Sequence, residues 1–280
     1  MTEMIVVGVS DAPVAERVVE WAIARAAERS QRVELVSVVG GAIGTLGEGG
    51  PLAAATAAAR SFLEEHVRRH AERGVELSLR VEVGNPIERL VAIAEDASLL
   101  VIGSDYQGGS SPSVRGFHGV RITAAAKCPV VVVPDFDVSD RTGVVVGVDG
   151  SEASESALRF AAAEADRRQE PLTAVSVWTP LTAPGYGLVS YAQPYLDNMQ
   201  TATEEILAIA LAGLSTDYPD LTVIPVVESG YPSRVIDELA AAASLCVVGS
   251  RGRGAIRRFL LGSISQEVIG HPATVTVVVR

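Results

Sequence analysis

Cysteine is scarce in this sequence: Cys128 and Cys246 are the two in 280 residues, far apart and without C-x-x-C spacing. That excludes a disulfide framework and fits buried thiols in a reducing compartment. Long apolar runs are also missing. None approaches the 18 or so residues of a membrane span, and the opening MTEMIVVGVSD has neither the basic start nor the apolar core of a signal peptide. The expected location is therefore cytoplasmic. Positive charge is short as well: 23 Lys+Arg stand against 34 Asp+Glu, a formal charge of −11 that repels nucleic acid and anionic membrane. Neither is expected as a partner. Aromatics make up 5% of the chain, so its cores must be built from Ala, Val, Leu and Ile. No G-x-S-x-G elbow and no G-x-G-x-x-G turn occurs, and neither cysteine has a neighbouring activator in sequence. Covalent catalysis and a dinucleotide fold thus have no local support.

What the chain does contain is a repeat. MIVVGVSDAPVAERVVEWAIARAAERSQRVELVSVV, from Met4, matches GVVVGVDGSEASESALRFAAAEADRRQEPLTAVSVW, from Gly143, with Gly8 on Gly147. Downstream, VEVGNPIERLVAIAEDASLLVIGS matches VESGYPSRVIDELAAAASLCVVGS, pairing Gly84 with Gly230, Pro86 with Pro232 and Gly103 with Gly249. Two domains follow, 1–138 and 139–280, divided in the polar stretch DFDVSDRT. Each half alternates strand-length apolar runs with amphipathic or alanine-rich helical segments. The expected class is α/β: two repeated, open, doubly wound (flavodoxin-like) five-stranded parallel sheets with helices on both faces. In the second half the strands are expected near 143–148, 172–178, 221–227, 245–249 and 274–279. Runs such as VVVGV and LCVVG are apolar at nearly every position, as strands covered on both faces must be. Two irregular segments, 40–50 and 179–194, occupy the same place in each copy and read as loops over the carboxyl edge.

The stretch GSRGRGAIRRFLLGS, Gly249 to Ser263, carries four arginines and no acid within an acidic chain. In an open parallel sheet, ligands bind beyond the carboxyl ends of the strands, and Gly249 ends one. A glycine there is expected to adopt positive φ and to admit a ligand, with Gly252 and Gly254 keeping the next turns open. Gly262 and Ser263 start a helix, whose free N–H groups favour phosphate. The Ser263 and Ser265 hydroxyls can add donors to phosphate, or a ligand to a phosphate-bound cation. Arg251, Arg253, Arg257 and Arg258 reverse the local charge, although the last two also suit a plain solvated helical face.

The spacing G249-x2-G252-x9-G262-S263, with the opening VVVGVDGS from Val144, resembles the nucleotide signature of the universal stress protein family, and the likeness covers the chain twice. The resemblance implies a tandem member with an adenine-nucleotide-binding fold and ATP as ligand, with Mg2+. It implies that Asp149 holds the adenosine part, that Val177 lines the adenine, and that Gly249, Ser250, Gly252, Gly262, Ser263 and Ser265 cradle the phosphates. Gly150, Arg251 and Ile264 complete the expected binding set. By the same resemblance the halves pair through their last strands, Pro129 to Pro134 and Ala273 to Arg280, and two chains can form a homodimer. The role implied is a nucleotide-dependent stress-response regulator. The segments lack an obvious general base, so an enzyme is not expected beyond slow ATP hydrolysis, and a nucleotide-independent scaffold is the third alternative.

The first copy departs from the pattern. Tyr106 stands for Gly252, Val120 for Ser263 and Ser10 for Asp149; Asp105 adds an acid, and Arg115 alone remains of the arginine cluster. Moving Gly116 to the matching spacing puts Phe117 at the serine position and restores nothing. One ATP per chain, in the second domain, is the expectation. His66 and His70 have metal-like i, i+4 spacing, but with no third ligand evident in sequence they read as a solvated helix face.

Overall fold

A computed structural model of the chain describes residues 3–40, 49–104, 106, 116–180, 192–253 and 261–280. The chain divides into two compact units, 1–137 and 138–268 with 273–280, while 269–272 group with the first.

The first unit runs β1 (Met4–Gly8), α1 (Ala15–Arg29), β2 (Arg32–Val39), α2 (Gly49–Arg69), β3 (Leu77–Val83), α3 (Pro86–Ile93), β4 (Leu99–Gly103), α4 (Gly116–Ala125) and β5 (Val130–Val133). Its strands lie in the order β3-β2-β1-β4-β5, all parallel. The second unit runs β6 (Val144–Gly147), α5 (Glu152–Arg168), β7 (Leu172–Trp178), α6 (Gln193–Leu211), α7 (Leu214–Asp217), β8 (Val223–Ser229), α8 (Pro232–Ala240), β9 (Leu245–Gly249), α9 (Ser263–Gly270) and β10 (Val275–Val279). Its order is β8-β7-β6-β9-β10, again parallel. In both units the winding reverses between the first and fourth strands, which opens a crevice at their carboxyl ends.

The repeat is physical as well as textual. The central strands β1, β4, β6 and β9 are buried through consecutive residues, as sheets covered on both faces require. The outer strands β3 and β8 are half exposed, and Pro225 in β8 fits there because an outer strand has one side without ladder partners. α1 and α5 each end on a non-glycine residue in the left-handed region, Ser30 (φ 52°) and Gln169 (φ 55°). α3 and α8 each begin with proline, whose missing N–H costs nothing in a first turn. Glu164, buried on α5, is held by Arg167 at 2.7 Å, which explains how a carboxylate sits inside a core.

One strand shifts along the sequence by two residues. The strand expected at 221–227 runs from Val223 to Ser229, because Leu221 still belongs to the preceding turn through its N–H to the Tyr218 carbonyl. Both cysteines are buried, as expected. The irregular segments lie largely outside the described residues, at 41–48 and 181–191. No helix among the described residues is long and apolar enough to cross a membrane.

Candidate functional site

At the carboxyl ends of β6, β7 and β9 lies a cavity of about 790 Å³, a volume suited to a nucleotide-sized ligand. It is lined by nine of the eleven residues singled out in sequence: Asp149, Val177, Gly249, Arg251, Gly252, Gly262, Ser263, Ile264 and Ser265. Gly150 and Ser250 stand just behind. Gly150 has φ +75°, which makes the turn after Asp149 a glycine position, and a side chain there would press on Arg253 and Ile206. The apolar wall includes Val148, Val175, Ile236, Val248 and Leu261, which the sequence reading did not name. Two of the five, Val148 and Val248, carry a signal in their position, next to the carboxyl end of a strand.

Asp149 joins two loops. Its Oδ1 accepts from the Ser151 amide at 3.0 Å and the Ser151 hydroxyl at 2.5 Å, while Oδ2 accepts from the Arg253 amide at 3.2 Å. Ser151 in turn caps α5, accepting from the Ser154 amide at 3.2 Å. The carboxylate is thus fixed in direction by three donors before any ligand arrives, and lone pairs remain on both oxygens.

The glycines act differently from expectation. Gly249, Gly252 and Gly262 are not among the described residues with positive φ. At Gly249 an added Cβ would meet the Ala153 carbonyl group at 2.8 Å, so that position is glycine because the first turn of α5 packs on it. At Gly252 a Cβ would lie 2.5 Å from Asp149 Oδ2, so that glycine makes room for the carboxylate. At Gly262 the nearest atom is 3.4 Å away, an ordinary contact; the protein itself does not demand glycine there.

The serines divide as well. Ser263 opens α9 at the cavity. Ser265 lines it too, with its hydroxyl donating to the Gly249 carbonyl at 2.6 Å. Ser250 is buried; its N–H donates to the Val279 carbonyl at 2.6 Å and its carbonyl accepts from the Gly262 amide at 2.8 Å, whereas its hydroxyl has no hydrogen-bond partner among the described residues. Gly254, Arg257 and Arg258 lie outside the described residues.

Behind the wall that Ile236 contributes, Asp237 keeps one carboxyl oxygen buried without a partner. Burial, with a smaller push from Glu267, raises its pKa to about 7. Glu267 itself accepts from Ser233 at 2.6 Å and Tyr231 at 2.9 Å. Burial likewise raises the Cys246 thiol, which is thereby unreactive.

The equivalent crevice of the first unit holds about 340 Å³ and is lined by Gly8, Ser10, Val36, Gly103, Ser104 and His118 among others, with no carboxylate among the described lining residues. Ser10 stands there where Asp149 stands in the second unit. The Tyr106 ring packs edge-on against Phe136, with centroids 6.4 Å apart. Asp105 and Arg115 lie outside the described residues.

The profile of the universal stress protein family matches residues 1–134 and again 141–280. The chain belongs to that family. One universal stress protein of Mycobacterium tuberculosis is 34% identical over 215 residues, covering 75% of this chain and 70% of its own. A second from the same organism is 32% identical over 292 residues, covering 99% and 96%, so this tandem member aligns with it from end to end. Among solved structures, a universal stress protein from Archaeoglobus fulgidus superposes with a TM-score of 0.72 over 99% of this chain and 96% of its own, at 18% identity, a likeness of fold.

Proposed function

We propose that this universal stress protein binds ATP, with Mg2+, in its second unit, and that the bound nucleotide sets the conformation or partner choice of a stress-response regulator. The observation that carries the proposal is the convergence of Asp149, Gly252, Gly262 and Ser263 on one cavity of about 790 Å³ with apolar walls and a helix start. The residues fit the group. Val177 and Val175 offer an apolar slot for a base, and Asp149 has acceptor capacity for a ribose diol. Gly262 leaves backbone open where no packing atom requires it, and the orphaned Ser250 hydroxyl stands behind the same loop. Phosphates would lie on the first N–H groups of α9, with Ser263 as a donor or a cation ligand and Arg251 as counter-charge.

Asp149 is the one carboxylate among the described residues that line this cavity, and both its oxygens are engaged by donors, so those residues offer no free general base. Hydrolysis is therefore expected below about one turnover per minute, far under the common enzyme range. The pairing of the halves through β5 and β10, each the outermost strand of its own five, belongs to the same proposal on sequence grounds, as does a homodimer. Cysteines scanned along β5 against one in β10 should give an intramolecular disulfide; none at any position overturns the pairing, and a monomer in sedimentation equilibrium overturns the dimer.

The test of the nucleotide is direct. Denaturing freshly purified protein should release ATP, and stripped protein should bind ATP with magnesium in a calorimetric titration. No released nucleotide together with no calorimetric binding overturns the proposal and leaves a nucleotide-independent scaffold.

A further inference from the structure

His66 and His70 do not form a solvated face. Each is 4% exposed, because the end of α2 packs its histidines toward the first turn of α1 rather than toward water. The missing third ligand is Glu16 on α1, fifty residues upstream in sequence and therefore invisible to local spacing. His66 Nδ1 lies 3.3 Å from Glu16 Oε2, and His70 Nε2 lies 3.2 Å from Glu16 Oε1. One ligand atom from each of the three residues falls within 4.8 Å of the other two.

Both of these imidazole nitrogens are buried and make no hydrogen bond, despite their nearness to the carboxylate. Buried polar atoms are rarely left so, and two aimed at one point call for a common partner. Phe62 packs edge-on against the His66 ring at 4.7 Å, which holds its plane. A tetrahedral ion with bonds of about 2.0 to 2.2 Å has ligand atoms roughly 3.3 to 3.6 Å apart, close to the 3.3 and 3.2 Å between the two rings and the two Glu16 oxygens. Two imidazoles and one carboxylate are the donor set of borderline first-row ions rather than of Mg2+ or Ca2+.

We propose that Glu16, His66 and His70 bind a divalent first-row transition-metal ion of the zinc type, which clips α1 to α2 in the first unit. The partly exposed side of Glu16 leaves a fourth position to water. In the ion-free chain the Arg69 guanidinium, which pairs with both Glu16 and Glu65, supplies the positive charge against the Glu16 carboxylate. Arg69 is half exposed and can withdraw to Glu65 alone when an ion arrives. The site is remote in sequence from the nucleotide cavity and uses none of its residues.

The experiment uses the full chain, without a histidine tag, stripped with chelator and free of nucleotide. Titration with Zn2+ alone should saturate at one ion per chain and raise the melting temperature, and Co2+ should give visible absorption typical of four or five ligands. Glu16→Gln, His66→Gln and His70→Gln should each weaken binding at least about tenfold. Arg69→Gln should bind as tightly as the parent or tighter. Where a histidine variant fails to fold, Glu16→Gln and the hyperfine-shifted imidazole N–H signals of the Co2+ protein decide: two such signals support the site. Binding weaker than about 1 mM in the parent overturns it, as does binding undiminished in Glu16→Gln.

Discussion

Three glycines around one loop should respond to the same small perturbation in three different ways. Alanine at Gly249 drives a Cβ to 2.8 Å from the Ala153 backbone, which cannot rotate aside as a side chain would. Overpacking of that kind costs about 1 to 3 kcal/mol. For a unit of this size that lowers the melting temperature by roughly 3 to 10 °C. Alanine at Gly252 meets the Asp149 carboxylate instead, at 2.5 Å. The side chain can move, but only by releasing the Arg253 amide and tilting away from Ser151, a loss of about 1 to 2 kcal/mol. ATP affinity should fall with it, because the same carboxylate is proposed to hold the ribose.

Gly262 is the decisive member. Its Cβ would meet nothing closer than 3.4 Å, so Gly262→Ala should leave stability within about 0.5 kcal/mol of the parent. Gly262→Val adds two methyls on a backbone that faces the cavity. If phosphate lies there, one or two charge-assisted hydrogen bonds of about 1.5 to 3 kcal/mol each are lost, a drop in affinity of roughly ten- to a hundredfold or more. Ser263→Ala removes one donor and should cost less. Thermal melts of the stripped proteins read the packing, and calorimetric titration with ATP and magnesium reads the ligand. Unchanged affinity in a folded Gly262→Val protein refutes the phosphate assignment; an unchanged melting temperature in Gly249→Ala refutes the packing account.

Titration of stripped protein should give one ATP per chain, and a stoichiometry near two with similar affinities would refute the asymmetry between the units. Asp149→Ala should weaken ATP at least about tenfold and loosen the loop after β9, since three donors lose their acceptor; intact binding would remove Asp149 from the site. Asp237 keeps its proton in the folded chain up to about pH 7, whereas an unfolded aspartate releases it near 3.8, so the folded state binds more protons across that window and stability falls as pH rises through it. Asp237→Asn should abolish that slope and stabilise the chain at pH 8 by roughly 2 kcal/mol, the full linkage of about 4 kcal/mol being cut by partial solvent access; parallel pH profiles for the two proteins would refute the assignment.

The architecture was legible because its causes are local and repeated. Apolar runs such as LLVIG and LCVVG can only be strands covered on both faces, and the amphipathic stretches between them force parallel crossovers. The binding set was legible in part, because glycines, a strand-ending aspartate and a helix start are local signals. What escaped was every relation across the fold. That Ser265 donates to Gly249, sixteen residues back, cannot be seen in a spacing, nor can the contact of Gly249 with Ala153. The histidine pair shows the same limit most sharply: i, i+4 spacing gives one face of a helix, but only the packing of α1 says whether that face meets water or Glu16.

The two halves allow the demands on glycine to be separated within one molecule. Gly8 and Gly147 end matched strands, and a Cβ on either would press on a matched helix, at 3.1 Å from Leu90 on α3 and 3.0 Å from Ile236 on α8. Gly103 and Gly249 do the same on the other side, against Val14 and, at 2.8 Å, Ala153, where α1 and α5 begin. These two positions carry glycine in both copies, and in both the reason is the packing of a helix on a strand end. Gly252 has no such reason, since what it accommodates is the Asp149 carboxylate; in the first copy Ser10 replaces the aspartate, and Tyr106 replaces the glycine. The two changes are one change. Once the carboxylate is gone, nothing excludes a side chain from the matched position, and a tyrosine can stand there with its ring against Phe136. The fold thus survives in both units because its own glycines survive, whereas the glycine that served the carboxylate was free to go with it. Among the described lining residues the first crevice, of about 340 Å³, has no carboxylate, whereas the second, of about 790 Å³, keeps one.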